Sequence, residues 1–567
     1  MTRIRSSPWV APVTLFAIAL IVRLIAASAI TFPATEGSAY YVDVARNLVQ
    51  GHGLVSNAIW SYATPPLVLP KPAFELWLPM ASLASAASMA IFGTSFSAAQ
   101  FGSVVLGAFV APLAWAVGRE AARVSDLSPV RASAVAAGSG FVAAVLGPFV
   151  VAAAVPDSTT PFLVFGVLAA LLMPRALAAA KASPAGLFRS RVLPGVALGL
   201  VLGLTYLSRQ EAIWLGATYL AFALAAARAA PSGRRLALAA LALLPVVVGG
   251  ALLVVPWLIR DTIVFGTPFP GQSIENAFLL RNEEIFAYLH RPSLGAFLGQ
   301  GPGTILGHVG DAVAHDLLTV VLVPTFPVGM IGILAVLAMR RSPAFRRATA
   351  LSALLVSGVI TVLVADLVFP VATVWGTFLH ASGPLLIGLS VGAVLGMDAF
   401  VARVGRARAW SRPNAWLGPA AMLAVAGLLL VLEVLLVTAQ SRAFARRMAA
   451  VAAELRALPE VAAQATAVAA GAAPPSRHAV VISDHPIWLA DVLGQPVIAL
   501  PDESPADVAT LAADFGSSYL VVFDERGQYP DALLNSPASG CFAGTSVRLA
   551  GAGDPAWLFP LAPGCRP

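Results

Sequence analysis

Eleven stretches of this sequence, at 10–31, 97–118, 132–155, 160–178, 192–208, 212–229, 236–257, 316–338, 349–370, 377–400 and 414–438, are predominantly apolar. Each has roughly the twenty residues that a helix needs to cross a bilayer. With 58% of the 567 residues hydrophobic and 11% charged, the chain lies far from the soluble average of about 45–50% apolar and 25% charged. Too little polar surface exists to solvate a soluble enzyme, and disorder needs the opposite composition. The fold class that remains is an α-helical polytopic membrane protein. The first run is too long for a signal-peptide core, so it reads as an uncleaved first span.

Charge sets the topology. The loops 119–131, 175–191, 228–235, 340–347 and 403–412 hold 3, 4, 3, 4 and 4 Lys and Arg, and the N-terminal tail adds 2. Cytoplasmic loops carry that excess. One further apolar stretch, 74–92, decides the parity. If it crosses, every later basic loop falls outside; if it does not, all five fall inside with the N-terminus. It therefore reads as a surface or re-entrant helix. About 11 transmembrane helices follow, with external loops at 32–96 and 260–315. The net charge of +7 comes from these helix ends. No basic run interleaved with aromatics suggests nucleic acid.

The tail is built differently. An amphipathic helix and an Ala-, Gly- and Pro-rich linker (439–475) follow the transmembrane domain (1–438). Beyond them, HAVVISD, DHPIWLADVLG, QPVIALP, SPADVATLAADFG and SSYLVVFDE alternate strand and helix. That alternation predicts a small extracytoplasmic α/β domain at 476–567 with a parallel sheet. Cys541 and Cys565 would lie on its oxidising side, either bridged or as free thiols.

Charged groups at the external helix ends are the first places to seek chemistry. Glu36 follows the first span, and Tyr40, Tyr41, Asp43 and Arg46 lie on a helical stretch beyond it. A carboxylate beside an apolar cavity can serve as general base; the plainer alternative is a solvated loop acid. Asp157 occupies a very short external link, where it could also be an ordinary helix N-cap. Arg209 and Glu211 sit at another external boundary, as a pair with each other or with lipid headgroups. Arg260 and Asp261 open the long loop that also holds Arg281, Glu283, Glu284, His290 and Arg291. The fork of Arg260 suits phosphate, and snorkelling to the headgroups is its alternative. His380 falls at the external start of the tenth span, where packing is the commoner role. No metal-ligand spacing or Gly-rich phosphate loop occurs.

Taken in order, these segments resemble the GT-C superfamily of membrane glycosyltransferases. The likeness runs through an acid after the first span, YYxxxARNLxxGHGL at Tyr40–Leu54, Pro65–Pro66, an apolar helix ending in Phe92–Gly93, SRQEA at 208–212 and PWLIRDTIVFGTPF at 256–269. The resemblance implies an inverting transfer of a sugar from a polyprenyl-phosphate carrier to a glycan, lipid or protein acceptor on the outer face of a bacterial inner membrane. The N-terminus would be cytoplasmic and the tail domain outside. Glu36 would be the base, with Asp43 in reserve and Asp157 as second external acid. Glu36 and Tyr40 keep the family's acid-to-tyrosine spacing, but the second acid of its D-E pair is Gly37 here. Arg260 and Arg209 would hold the carrier phosphate. No cofactor is required, and a divalent metal is a feature of relatives with pyrophosphate donors. A transporter or flippase for a lipid-linked substrate, or a non-catalytic envelope-assembly subunit, is the alternative. A transporter predicts charges near the midplane; Arg23, Asp366 and Glu433 lie in or near spans without mutual pattern.

Overall fold

The computed structural model describes residues 9–181, 188–271, 273–410, 414–469, 477–523, 546–549 and 556–562. Cys541 and Cys565, and the expectation attached to them, lie outside the described residues. Among those described, eight helices are long and apolar enough to cross a membrane. The pair Pro129–Val145 and Gly147–Ala154, bent by 48°, makes a ninth. Two expected spans form the shorter apolar helices Ser190–Tyr206 and Ala212–Arg228. The chain is a multi-pass membrane protein.

Helix Met80–Phe92 has 13 residues. At 1.5 Å each that is about 20 Å, too short for a hydrocarbon core of about 30 Å. It packs against the helices Glu36–Val49 and Phe96–Ala108.

One expected span is corrected. The apolar run 316–338 is not a single helix. Its first part, Asp316–Leu322, is a π-helical extension of helix Pro302–His315. Helix Val328–Met339 starts afresh after a break at 323–327. Pro324 and Pro327 stand in that break without amide donors, which ends the helical ladder although hydropathy continues unchanged.

The bend in the third span explains two charges that showed no pattern in sequence. Arg23, fully buried in the first span, donates to the carbonyls of Ala144 at 3.1 Å and Ala143 at 3.5 Å. Those carbonyls end the first half of the bent span. Glu433 of the last span packs on Gly147, where the second half begins; a Cβ there would come within 2.1 Å of its carboxylate. A cation thus meets the carbonyl end of the break, and a carboxyl side chain lies against the start of its second half.

The last span and the amphipathic segment are one helix of 40 residues, Leu417–Arg456. The tail beyond it forms β2 (Val481–Ser483), β3 (Val497–Ala499), β4 (Tyr519–Val522), β5 (Val547–Arg548) and β6 (Trp557–Pro560), with helices Pro486–Leu493 and Pro505–Phe515 between the first three. A further strand, β1 (Ala58–Ile59), comes from the loop after the first span. The sheet order is β1-β3-β2-β4-β6-β5. β1, β3, β2 and β4 are parallel and the rest antiparallel. The tail sheet therefore takes its edge from the membrane domain's own loop.

Asp43 sets that edge in place. It is 2% exposed and accepts from the Asn57 amide at 2.9 Å, Asn57 Nδ2 at 2.8 Å and Ser56 Oγ at 3.0 Å. Next to this anchor, Arg46 pairs with Asp491 of the tail. From the second loop, Arg281 meets Asp502 at 2.8 Å, and Glu503 accepts the amides of Tyr288 and Leu289 at 3.1 and 2.7 Å. One apolar core runs through all of this, from Tyr40, Trp60 and Phe74 to Met448 and Leu455 and on to Ile482, Phe515 and Val521.

Candidate active site

Helix Glu36–Val49 opens with Thr35 as N-cap, whose Oγ1 accepts from the Ser38 amide at 3.1 Å. Glu36 therefore lies in the first turn, where the helix dipole favours a carboxylate. Its Oε1 is 3.6 Å from Nδ1 of His485 in the tail domain. The next residue, Gly37, backs onto Asp157: a Cβ there would stand 3.8 Å from Asp157 Oδ2.

Asp157 is the centre of a buried network. Its Oδ1 accepts from Ser158 Oγ at 3.0 Å, from the Thr159 amide at 3.0 Å and from Thr159 Oγ1 at 3.1 Å. His380 Nδ1 lies 3.1 Å from the same oxygen and 3.0 Å from Thr159 Oγ1. Burial pushes the Asp157 carboxyl up, but His380, the Thr159 amide and Arg209 outweigh it and hold it well below the usual carboxylate range. A carboxylate so acidic is a poor proton acceptor and a good fixed anion.

Arg209 completes the network. It donates to Ser158 Oγ at 3.0 Å and to the Thr377 carbonyl at 3.2 Å, and forks onto Glu211 at 2.6 and 3.2 Å. Four contacts leave one of its five N–H groups for a ligand.

A cavity of about 390 Å³ opens over this network. Tyr41, Trp77, Arg209, Glu211, Trp375 and His380 form its polar and aromatic wall. His380, with Nδ1 at Asp157, also lines the cavity. A second cavity of about 530 Å³ adjoins it, sharing Ser273 and Phe369 and lined mainly by apolar side chains such as Phe278, Phe297, Leu298 and Leu367.

The candidate residues are distributed unevenly around this centre. Asp157, Arg209, Glu211 and His380 converge; Glu36, one residue before the Gly37 that backs onto Asp157, faces His485 and does not itself line the cavity. Asp43 faces the β1 anchor. Arg260 pairs with Asp261 at 2.8 Å, donates to the Ala73 carbonyl at 2.8 Å and lies over the Trp257 ring; it does not line the cavity. Arg281 is engaged with the tail domain. Tyr40 accepts the Phe74 amide at 2.7 Å and packs edge-on against Trp77. Its neighbour Tyr41 reaches the cavity instead, its phenol pushed up by burial and by the charge of Asp157. Adjacent helical residues diverge by about 100°, so spacing from Glu36 alone does not choose between them. His485 carries no motif at all and is missed by sequence reasoning. Among the described residues, no three His, Cys, Asp or Glu side chains stand where they could share a metal ion.

A multi-pass helical domain whose loops build an acidic and basic site beside an apolar groove, covered by a small α/β domain, is a fold also found among solved membrane proteins. The chain is similar in structure to ArnT from Cupriavidus metallidurans bound to undecaprenyl phosphate, with a TM-score of 0.52 and 15% identity over 98% of each chain. It is similar also to the archaeal oligosaccharyltransferase AglB from Archaeoglobus fulgidus in complex with an inhibitory peptide and a dolichol-phosphate, with a TM-score of 0.54 and 13% identity over 91% of this chain and 70% of that one. The A. fulgidus oligosaccharyltransferase complex with Zn and sulfate gives 0.56 and 13% over 96% and 72%. No family model and no curated protein matches the sequence.

Proposed function

We propose that the chain is an inverting glycosyltransferase that moves a sugar from a polyprenyl-phosphate carrier to an acceptor hydroxyl on the outer face of the membrane. The observation that carries this is the junction of two cavities, one walled by Arg209, Glu211 and His380 and the other apolar. An amphiphile with a phosphate between sugar and hydrocarbon matches that junction. The fold shared with enzymes bound to undecaprenyl phosphate and dolichol-phosphate supports the same class of donor. In a bacterial inner membrane, the basic loops would face the cytoplasm and the site the outside.

Glu36 takes the proton from the acceptor hydroxyl, whose oxygen attacks the anomeric carbon. The bond from that carbon to the phosphate oxygen breaks, and polyprenyl phosphate leaves. Arg209 and His380 meet the negative charge that grows on the leaving phosphate. Asp157 fixes both through Ser158 and Thr159. The transporter reading loses one of its three intramembrane charges, because Arg23 is engaged with the carbonyls at a helix break.

The test is release of sugar from radiolabelled polyprenyl-phosphate sugars by the purified protein in detergent. Glu36→Gln should reduce turnover by about 10²–10⁴-fold while binding of the carrier phosphate survives. Binding without turnover across the whole donor panel would overturn the enzyme reading and favour the non-catalytic subunit.

A further inference from the structure

The tail domain is more than a cover. Its sheet has a topological switch point at β2. The connection from β2 leads to β3 on one side, and β4 lies on the other. In open α/β sheets the crevice at the carboxyl ends of such strands is where ligands bind. Here that crevice is turned on the membrane domain, and the residue it presents to Glu36 is His485, directly after the β2 loop.

His485 is held tightly. Its amide donates to Ser483 Oγ at 3.1 Å. Its ring packs on Trp488 at 5.1 Å and on Phe523, the residue after β4, at 5.2 Å. Asp484 accepts the Phe523 amide at 2.9 Å, which closes the crevice from behind. Trp488 in turn donates to the Pro33 carbonyl at 3.1 Å, three residues before Glu36. The imidazole is 7% exposed, the Glu36 carboxylate 15%, and the two atoms that face each other are 3.6 Å apart. A histidine that only filled space here would not need its nitrogen aimed at a buried carboxylate.

We propose that His485 is a positioning residue for Glu36, so that the reacting site is assembled from two parts of the chain and is complete only when the tail domain is docked. The inference rests on Glu36 acting as the base. The imidazole fixes the carboxylate's rotamer and its charge, and touches no substrate itself.

The test uses the full chain in detergent, with His485→Gln and His485→Ala beside the wild type and thermal unfolding as a check on folding. kcat should fall between about 10- and 100-fold while KM stays within about twofold. In His485→Ala, added imidazole should restore turnover, whereas pyrrole, of the same size but without the second ring nitrogen, should not. A second readout needs no turnover: the rate at which a hydrophobic carbodiimide labels Glu36, followed by mass spectrometry. That rate should change severalfold in His485→Ala and return with imidazole alone. If no donor is turned over by the wild type, the glycosyltransferase reading fails and the labelling still decides this one. Unchanged kcat and labelling in both variants would overturn the proposal. So would rescue by pyrrole equal to that by imidazole, or a change confined to KM.

Discussion

Asp157→Asn should lower kcat by up to about four orders of magnitude, the scale seen when an orienting aspartate is neutralised beside a histidine. The fold should survive, because asparagine has nearly the same shape. The loss has a specific origin. Oδ1 of Asp157 takes Ser158, the Thr159 amide and hydroxyl, and His380 together. An amide can keep one acceptor oxygen for that set but brings no charge to it. His380 then loses its charged partner, and the Ser158 to which Arg209 donates at 3.0 Å is held less firmly. Sugar release and thermal unfolding, measured together, separate this from simple instability. Asp157→Asn with more than a tenth of wild-type turnover would remove Asp157 from the machinery. The neighbouring glycine gives a companion result. Gly37→Asp restores the acid pair of the resembled family, yet it forces a second carboxylate toward Asp157 Oδ2, where a Cβ alone already stands at 3.8 Å. Two such charges oppose each other, so turnover should fall in this variant.

Which of these features were legible in the sequence depends on the distance over which each is encoded. Span positions are local, since twenty apolar residues announce themselves. The charge parity that reads 74–92 as a surface helix is encoded over the whole chain and still additive, and the stretch forms a helix of 13 residues. The alternation of the tail gave β2, β3 and β4 and the helices between them. The break at 323–327 was hidden, because hydropathy does not register a proline that interrupts an apolar run. β1 was hidden for a different reason: two residues of strand are too short to show alternation, and pairing with β3 lies some 440 residues away in sequence. Of the site, Asp157, Arg209, Glu211 and His380 were found as charges at external helix ends. Their convergence was not, because it depends on how three links meet in space. Tyr41 and His485 had no signal that spacing could have read.

Asp43→Ala should produce the largest loss of stability among single substitutions at the external face, about 3 kcal/mol or more. The change leaves the Asn57 amide, Asn57 Nδ2 and Ser56 Oγ without their buried acceptor, and each unmet group costs about 1–3 kcal/mol. These groups hold the turn that delivers β1 to β3, so the tail domain should become sensitive to limited proteolysis before the spans unfold. The pH dependence carries a sign that identifies the group. Burial, against the pull of Asn57 and Ser56, raises the Asp43 carboxyl to about 6. The unfolded chain releases this proton near the ordinary value of about 3.9. The folded protein thus holds the proton more tightly between those values. Its contribution is full below about pH 4 and is lost as pH rises through about 6, so wild-type stability should decline across that window. In Asp43→Ala this part of the slope should vanish, which thermal unfolding from pH 4 to 7 would reveal. Turnover should fall as well, although Asp43 faces away from the cavity, because undocking the sheet withdraws His485 from Glu36. A variant that loses the tail's protection yet keeps full turnover would separate the two roles and show that the membrane domain works alone.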